Sequence, residues 1–234
     1  RPESPRLGDA TEIVGDVFQQ AGMNEEAVAH FEQALHLGLR CGAWVSVARL
    51  AGKLAMLLDE TGDAKRARDY YERAIEYYER IGDHSMHSYL LNGYASVARR
   101  LGDSREAEQA YQKAMDVAAR IHGETHPEVA IAANNLGVAY TDAGDLVRAE
   151  NMHMQALAIR EKCFGGMHPD VAQSLGNLAV VYHGSRDFDR AANFYRAALD
   201  IYARFREAGD PEMEGVRANY GALMAARESM VAKQ

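Results

Sequence analysis

Small, large and small residues recur along the chain at helical spacing. Ala27, Ala67, Ala107, Ala149 and Ala191 lie 40, 40, 42 and 42 residues apart, and each is followed four residues later by Phe31, Tyr71, Tyr111, His153 or Tyr195. Three residues further on stand Ala34, Ala74, Ala114, Ala156 and Ala198. Positions three and four apart share one face of an α-helix, so each set presents a ring flanked by two small residues. The small positions let a second helix approach, and the ring fills the space beside them. That second helix precedes each set, with Gly15, Ala55, Ala95, Gly137 or Ala179 as its small residue and Phe18, Leu58, Ala98, Tyr140 or Tyr182 one turn on. Between the helices, Gly22, Gly62, Gly102, Gly144 and the stretch Ser185-Arg186-Asp187 predict tight turns. The unit is a helical hairpin, and its period makes the chain a repeat array whose function is read from a surface rather than a pocket.

This spacing resembles the tetratricopeptide repeat over nearly the whole chain. The repeats are predicted near residues 8–41, 48–81, 88–121, 130–163 and 172–205, followed by an unpartnered, alanine-rich helix at 211–232 that caps the last apolar face. The resemblance implies an all-α, right-handed superhelical solenoid forming a single domain over residues 1–234. The last two repeats are more particular. His126-Pro127-Glu128-Val129-Ala130 and Asn134-Asn135-Leu136-Gly137 are answered by His168-Pro169-Asp170-Val171-Ala172 and Gly176-Asn177-Leu178-Ala179. Pro127, Pro169 and Pro211 are 42 residues apart, as are Asn135, Asn177 and Asn219, and the stretch Gln155 to Lys162 completes a pattern similar to the kinesin-light-chain class of these repeats. Proline is pre-organised for the first helical position, and Glu128, Asp170 or Glu212 beside it suits the positive helix end. The heptad coiled coil by which eukaryotic kinesin light chains join their motor has no counterpart here. A short array without it resembles the bacterial kinesin-light-chain-like proteins encoded beside bacterial tubulins.

Composition narrows the function classes. A net charge of −8 without a Lys/Arg-rich run argues against nucleic acid, which demands a concentrated basic face. Cys41 and Cys163 are far apart and outside any C-x-x-C spacing, which fits a reducing cytoplasm and neither a disulfide framework nor a thiolate metal site. No apolar run is long enough to span a bilayer, and Arg1 to Thr11 is polar. Because the numbering starts at an arginine, the reading leaves room for an upstream segment or anchor.

Candidate chemistry is sparse. The pairs His122/His126 and His84/His87 have ligand-like spacing but fall in predicted loops without a third ligand. Capping or packing is the simpler account of His126 and His168, and a core role is the simpler one for His153. The nucleophile-elbow, P-loop and dinucleotide-binding signatures are missing, and the carboxylates are scattered, so the chain reads as neither an enzyme nor a cofactor protein. Trp44 opens the second repeat, where packing at a repeat junction is favoured over an exposed anchor. Arg66, Arg68, Glu72, Arg73, Glu76 and Glu79 look like a self-neutralising outer face. Tyr220, Leu223, Met224 and Met230 share one side of the last helix, with Arg227 and Lys233 near its end. Capping explains them first and weak peripheral membrane association second.

In the family register the first helices line a concave groove. The groove positions are Arg49, Lys53, Tyr89, Asn92, Arg99 and Arg100 in the second and third repeats, and Asn134, Asn135, Val138, Asn177, Val180, His183 and Asn219 in the C-terminal half. Arg49, Lys53 and Arg99 are suited to receive carboxylates, although the full acidic-tail clamp of related repeat proteins is absent. The asparagines offer donors and acceptors to an extended peptide, or alternatively tie adjacent repeats together. The resulting expectation is a non-catalytic adaptor that binds a protein or extended peptide, with a bacterial tubulin filament as the partner implied by the resemblance and a membrane component as a second one. The rival is a peptide-sensing regulatory domain of a larger signalling protein.

Overall fold

In a computed structural model, which describes residues 5–207 and 209–231, the described chain is helical throughout, with no strand. Eleven helices follow in order: α1 (Pro5–Gln20), α2 (Asn24–Cys41), α3 (Trp44–Glu60), α4 (Ala64–Ile81), α5 (His87–Leu101), α6 (Ser104–His122), α7 (Pro127–Asp142), α8 (Leu146–Phe164), α9 (Pro169–Gly184), α10 (Phe188–Phe205) and α11 (Pro211–Val231). No helix among the described residues is long and apolar enough to cross a membrane.

The turns inside the hairpins repeat one geometry. Gly22, Gly62, Gly102 and Gly144 all have φ between 75° and 90°, and in each case the next residue's N–H returns to the carbonyl five residues back, as Asp63 does to Leu58 at 2.9 Å. This closes the orphan carbonyls of the first helix, and glycine reaches the left-handed conformation without a Cβ penalty. In the fifth hairpin Arg186 takes that place with φ 64°, and Asp187 bonds back to Tyr182 at 2.9 Å. An aspartate then starts the second helix. Asp63, Asp145 and Asp187 accept from the backbone N–H three residues ahead at 3.1–3.2 Å. The connections between hairpins in the C-terminal half use imidazole for the same purpose: Nδ1 of His126 and His168 accept from Glu128 and Asp170 N–H, and Asp210 caps α11 one period later. Pro127 and Pro169 sit at the first helical positions, where a missing N–H costs nothing.

The chain divides into two compact units, residues 1–114 and 115–234. In the first, α1 pairs with α2 and α3 with α4, and each second helix also meets the first helix of the next hairpin. Ala27, Ala67, Ala74 and the rings of Phe31 and Tyr71 are buried there. In the second unit, α7 pairs with α8 and α9 with α10, and a core of Leu178, Tyr195, Tyr202 and Met213 extends under α11. Leu223 of α11 is fully buried and Tyr220 lies beside Tyr195, which accounts for the capping role of this helix. Met224 is exposed, Arg227 pairs with Asp189 at 3.0 Å, and the side chain of Met230 and the residue Lys233 lie outside the described residues.

Two hairpins are closer than the alanine pattern requires. A Cβ placed on Gly15 would come within 2.7 Å of the Phe31 ring, and one on Gly137 within 2.7 Å of the His153 ring. Gly144, by contrast, faces open space. Gly137→Ala is therefore expected to cost about 1 to 3 kcal/mol through overpacking, and Gly144→Ala about 1 kcal/mol through backbone strain alone. Urea denaturation of both variants, each with and without His153→Ala, checks this. The second substitution relieves Gly137→Ala and leaves the cost of Gly144→Ala unchanged.

Candidate functional site

The groove residues expected from the sequence fall on α3, α5, α7, α9 and α11. In the first unit the cationic positions are already engaged. Glu12 of α1, almost wholly buried, accepts from both guanidinium nitrogens of Arg49, one of them at 2.7 Å, and from Lys53 at 2.9 Å. Lys53 also reaches Asp16 at 2.7 Å and lies 5.3 Å over the Phe31 ring. Arg100 pairs with Asp59 of α3. The carboxylates that Arg49, Lys53 and Arg100 meet thus come from within the chain. Arg99 is half-buried. Tyr89 is left open on α5, half exposed, and Asn92 turns its Nδ2 back to the Ser88 carbonyl at 3.0 Å. The Asn92 Oδ1 is buried with no hydrogen-bond partner among the described residues.

In the second unit the asparagines do not form a ladder of equivalent positions. Asn177 Nδ2 donates to Oδ1 of Asn134 at 2.8 Å, so α9 is tied to α7 through the residue before the periodic Asn135. The same Oδ1 faces Nδ1 of His153 at 3.3 Å. An oxygen that already accepts from Asn177 calls for a proton on that Nδ1. His153 is 1 % exposed, and its pKa is depressed to about 4, first by burial and then by the nearby charge of Arg160, against a smaller opposing pull from the Gly137 carbonyl. Arg160 is itself buried in α8. It donates to the Asp170 carbonyl at 2.9 Å, the Ser174 hydroxyl at 2.7 Å and the Gln173 side chain at 3.0 Å, joining α8 to α9 with neutral acceptors. Burial lowers its pKa.

The remaining positions are differently placed. Asn135 is half-buried and Asn219 exposed, and neither makes a hydrogen bond among the described residues. Val138 and Val180 are half-buried, Val180 against the core of the second unit. His183 has its ring edge-on to Phe188 and Tyr195 at 6.0 and 6.5 Å. Sequence reasoning missed the part played by Arg160, whose signal was a cation three residues after the Ala156-Leu157 pair of the repeat with no carboxylate at helical spacing to answer it inside α8. It also missed the caps' second layer: His122 stacks on His126 at 4.4 Å and Phe164 on His168 at 4.5 Å. Trp44 is half-buried, with the Arg80 guanidinium 3.6 Å over its ring. Among the described residues, no group of three or more His, Cys, Asp or Glu is placed to hold a metal ion.

The architecture defines an all-helical protein of stacked hairpins. The family model for the tetratricopeptide repeat matches residues 8–80, 86–162 and 141–204, and the chain belongs to that family. No curated protein matches it in sequence. Among solved structures, BtubC (BKLC) from P. vanneervenii is similar at 28% identity and a TM-score of 0.74, over 88% of this chain and 84% of that one. A putative kinesin light chain with nearly identical TPR-like repeats, from Podospora anserina, is similar at 20% identity and a TM-score of 0.72, over 88% of this chain and 100% of that one. The apo form of RapI shares the fold at 14% identity and a TM-score of 0.76, over 95% of this chain and 64% of that one.

The buried imidazole makes stability depend on pH. Folded His153 stays neutral to about pH 4, whereas in the unfolded chain it protonates below about 6.5. Its contribution is therefore fully present above pH 6.5 and is lost as pH falls toward 4, on the order of 2 to 3 kcal/mol in total. Urea melts between pH 7.5 and 4.5 read the effect. His153→Phe, a ring of the kind that Phe31 already packs on Gly15, is expected to flatten this part of the profile.

Proposed function

We propose that this chain is a non-catalytic adaptor that holds another protein on the exposed polar positions of its first-type helices. Its family supports the general statement, because tetratricopeptide repeats mediate protein–protein contacts. The observation that carries the particular one is the split among the groove residues. Asn134 and Asn177 are spent on each other, and Arg49, Lys53 and Arg100 on Glu12, Asp16 and Asp59, whereas Tyr89, Asn135 and Asn219 keep their polar groups outside any such pairing. An amide with both functions unused offers a donor and an acceptor to a passing backbone.

The partner proposed is a bacterial tubulin, as filament or subunit. Its support is the likeness to BtubC, at 28% identity over most of both chains, together with the 42-residue period of the second unit. A repeat array suits a polymer because sites fixed on one scaffold engage successive subunits at high effective concentration. Linkage to a membrane component by the remaining surface, and residence in the cytoplasm, belong to the same proposal.

Co-sedimentation with polymerised bacterial tubulin tests it. The parent chain is expected in the pellet, and Tyr89→Ala/Asn135→Ala/Asn219→Ala to bind at least tenfold more weakly with an unchanged melting temperature. Asn177→Ala is expected to lose about 1 kcal/mol of stability, since it removes one part-buried hydrogen bond. Equal pelleting of the triple variant overturns the assignment of these residues to binding. No pelleting of the parent chain overturns the tubulin assignment.

A further inference from the structure

The first unit contains the same inter-repeat groove twice, and the chain supplies a cation and a ring to the central carboxylate of only one of them. Between α2 and α4, Glu32 is answered from the chain itself: its Oε1 accepts from Arg66 at 2.9 Å and from the Tyr70 hydroxyl at 2.6 Å, with the Tyr70 ring buried. Forty residues on, Glu32 becomes Glu72, Arg66 becomes Glu106 and Tyr70 becomes Ala110. The cation is replaced by a second carboxylate and the filling ring by a methyl group. A cavity of about 310 Å³ results between α4 and the start of α6, floored by Ile75, Leu91 and Tyr94.

Carboxylates rim this cavity, and most of their capacity is unused. Glu72 and Glu76 make neither a hydrogen bond nor an ion pair among the described residues. Glu106 accepts the Tyr94 hydroxyl at 2.5 Å and has Arg68 at 3.7 Å, although Arg68 is closer to Asp103 at 2.7 Å. Glu79 faces His87 at 3.2 Å and Lys113 at 3.7 Å. Tyr94 lies in the field of both Glu72 and Glu106, and this field adds to burial in pushing its pKa up. An apolar floor beneath acidic walls suits a long side chain with an aliphatic stem and a cationic head. A guanidinium can bridge two carboxylates with its fixed fork of donors.

We propose that the α4–α6 groove is a docking site for an arginine side chain presented by a basic segment of a partner protein, in the place that Arg66 occupies one repeat earlier. The neighbouring groove is the chain's own template for the bound state. The carboxylate rim lies on α4 and α6, the second helices of their hairpins, over a floor shared with α5, and the site goes beyond the adaptor reading because it does not use the exposed groove residues Tyr89, Asn135 and Asn219.

The test uses a capped Leu-Arg-Leu tripeptide titrated into the isotopically labelled full chain and followed by amide NMR shifts. The citrulline peptide, equal in size and uncharged, is the control. Arginine-dependent shifts are expected on α4, α5 and the start of α6, with binding at least fivefold weaker for citrulline. Glu106→Arg/Ala110→Tyr rebuilds the arginine and tyrosine contacts that Glu32 receives one repeat earlier, and it is expected to abolish the shifts while keeping or raising the melting temperature. Glu72→Gln, a substitution that preserves shape, is expected to weaken binding at least fivefold. The proposal is overturned by absent shifts in the parent, by equal binding of the two peptides, or by undiminished binding to either folded variant. None of these outcomes bears on tubulin co-sedimentation, so the two readings fail separately.

Discussion

Close approach of two helices over a single ring is the contact on which the rest of the structure depends. In the first and fourth hairpins Phe31 and His153 of the second helix lie against a glycine of the first, Tyr71 lies against Gly93 of the helix that follows, and the periodic alanines beside these rings are hidden. Where the small residue is glycine, as at Gly15 and Gly137, the ring lies against the backbone itself. The hairpin then has one packing solution, and the second helix is held in place to receive the first helix of the next repeat. Turn glycines and aspartate caps make that hairpin cheap to close, but they do not set the distance between its helices.

That contact also explains why His153 behaves as a structural group. Its position belongs to the packing ring of the repeat, so the imidazole is drawn inside by its place in the period and not by any chemistry of its own. Once buried it needs a partner, and Asn134 supplies one while linking through Asn177 to the next repeat. The second unit is thereby joined by a polar chain, with Arg160 bridging α8 to α9 beside it. In the first unit the equivalent junctions rely on ion pairs, Arg49 and Lys53 on Glu12 and Asp16, and Arg66 on Glu32. Repeats that share one backbone thus differ in how they are fastened, and the differences decide which polar groups remain for a partner.

Departure from the period is where an array acquires function. A position that matches its equivalents is explained by stacking alone, whereas Glu106 and Ala110 break a pairing that the preceding repeat makes, and they leave a cavity with unanswered carboxylates. The same reasoning applies to the asparagines: Asn177 is engaged, and its equivalents Asn135 and Asn219, at the same place in the register, are not.

The sequence by itself determined the helices, the hairpins, their order and the turns between them. Those depend on local periodicity, on glycine's access to positive φ and on capping side chains within three residues of the backbone they serve. It also marked His126 and His168, each before a helix-starting proline, for capping or packing, and the structure has them do both. The sequence did not determine which groove residues are spent within the chain. Glu12 meets Arg49 and Lys53 across 37 and 41 residues, and Asn134 meets Asn177 across 43, one residue off the 42-residue period. Such pairings depend on how far one helix is rotated against the next, and only the packed structure fixes that rotation.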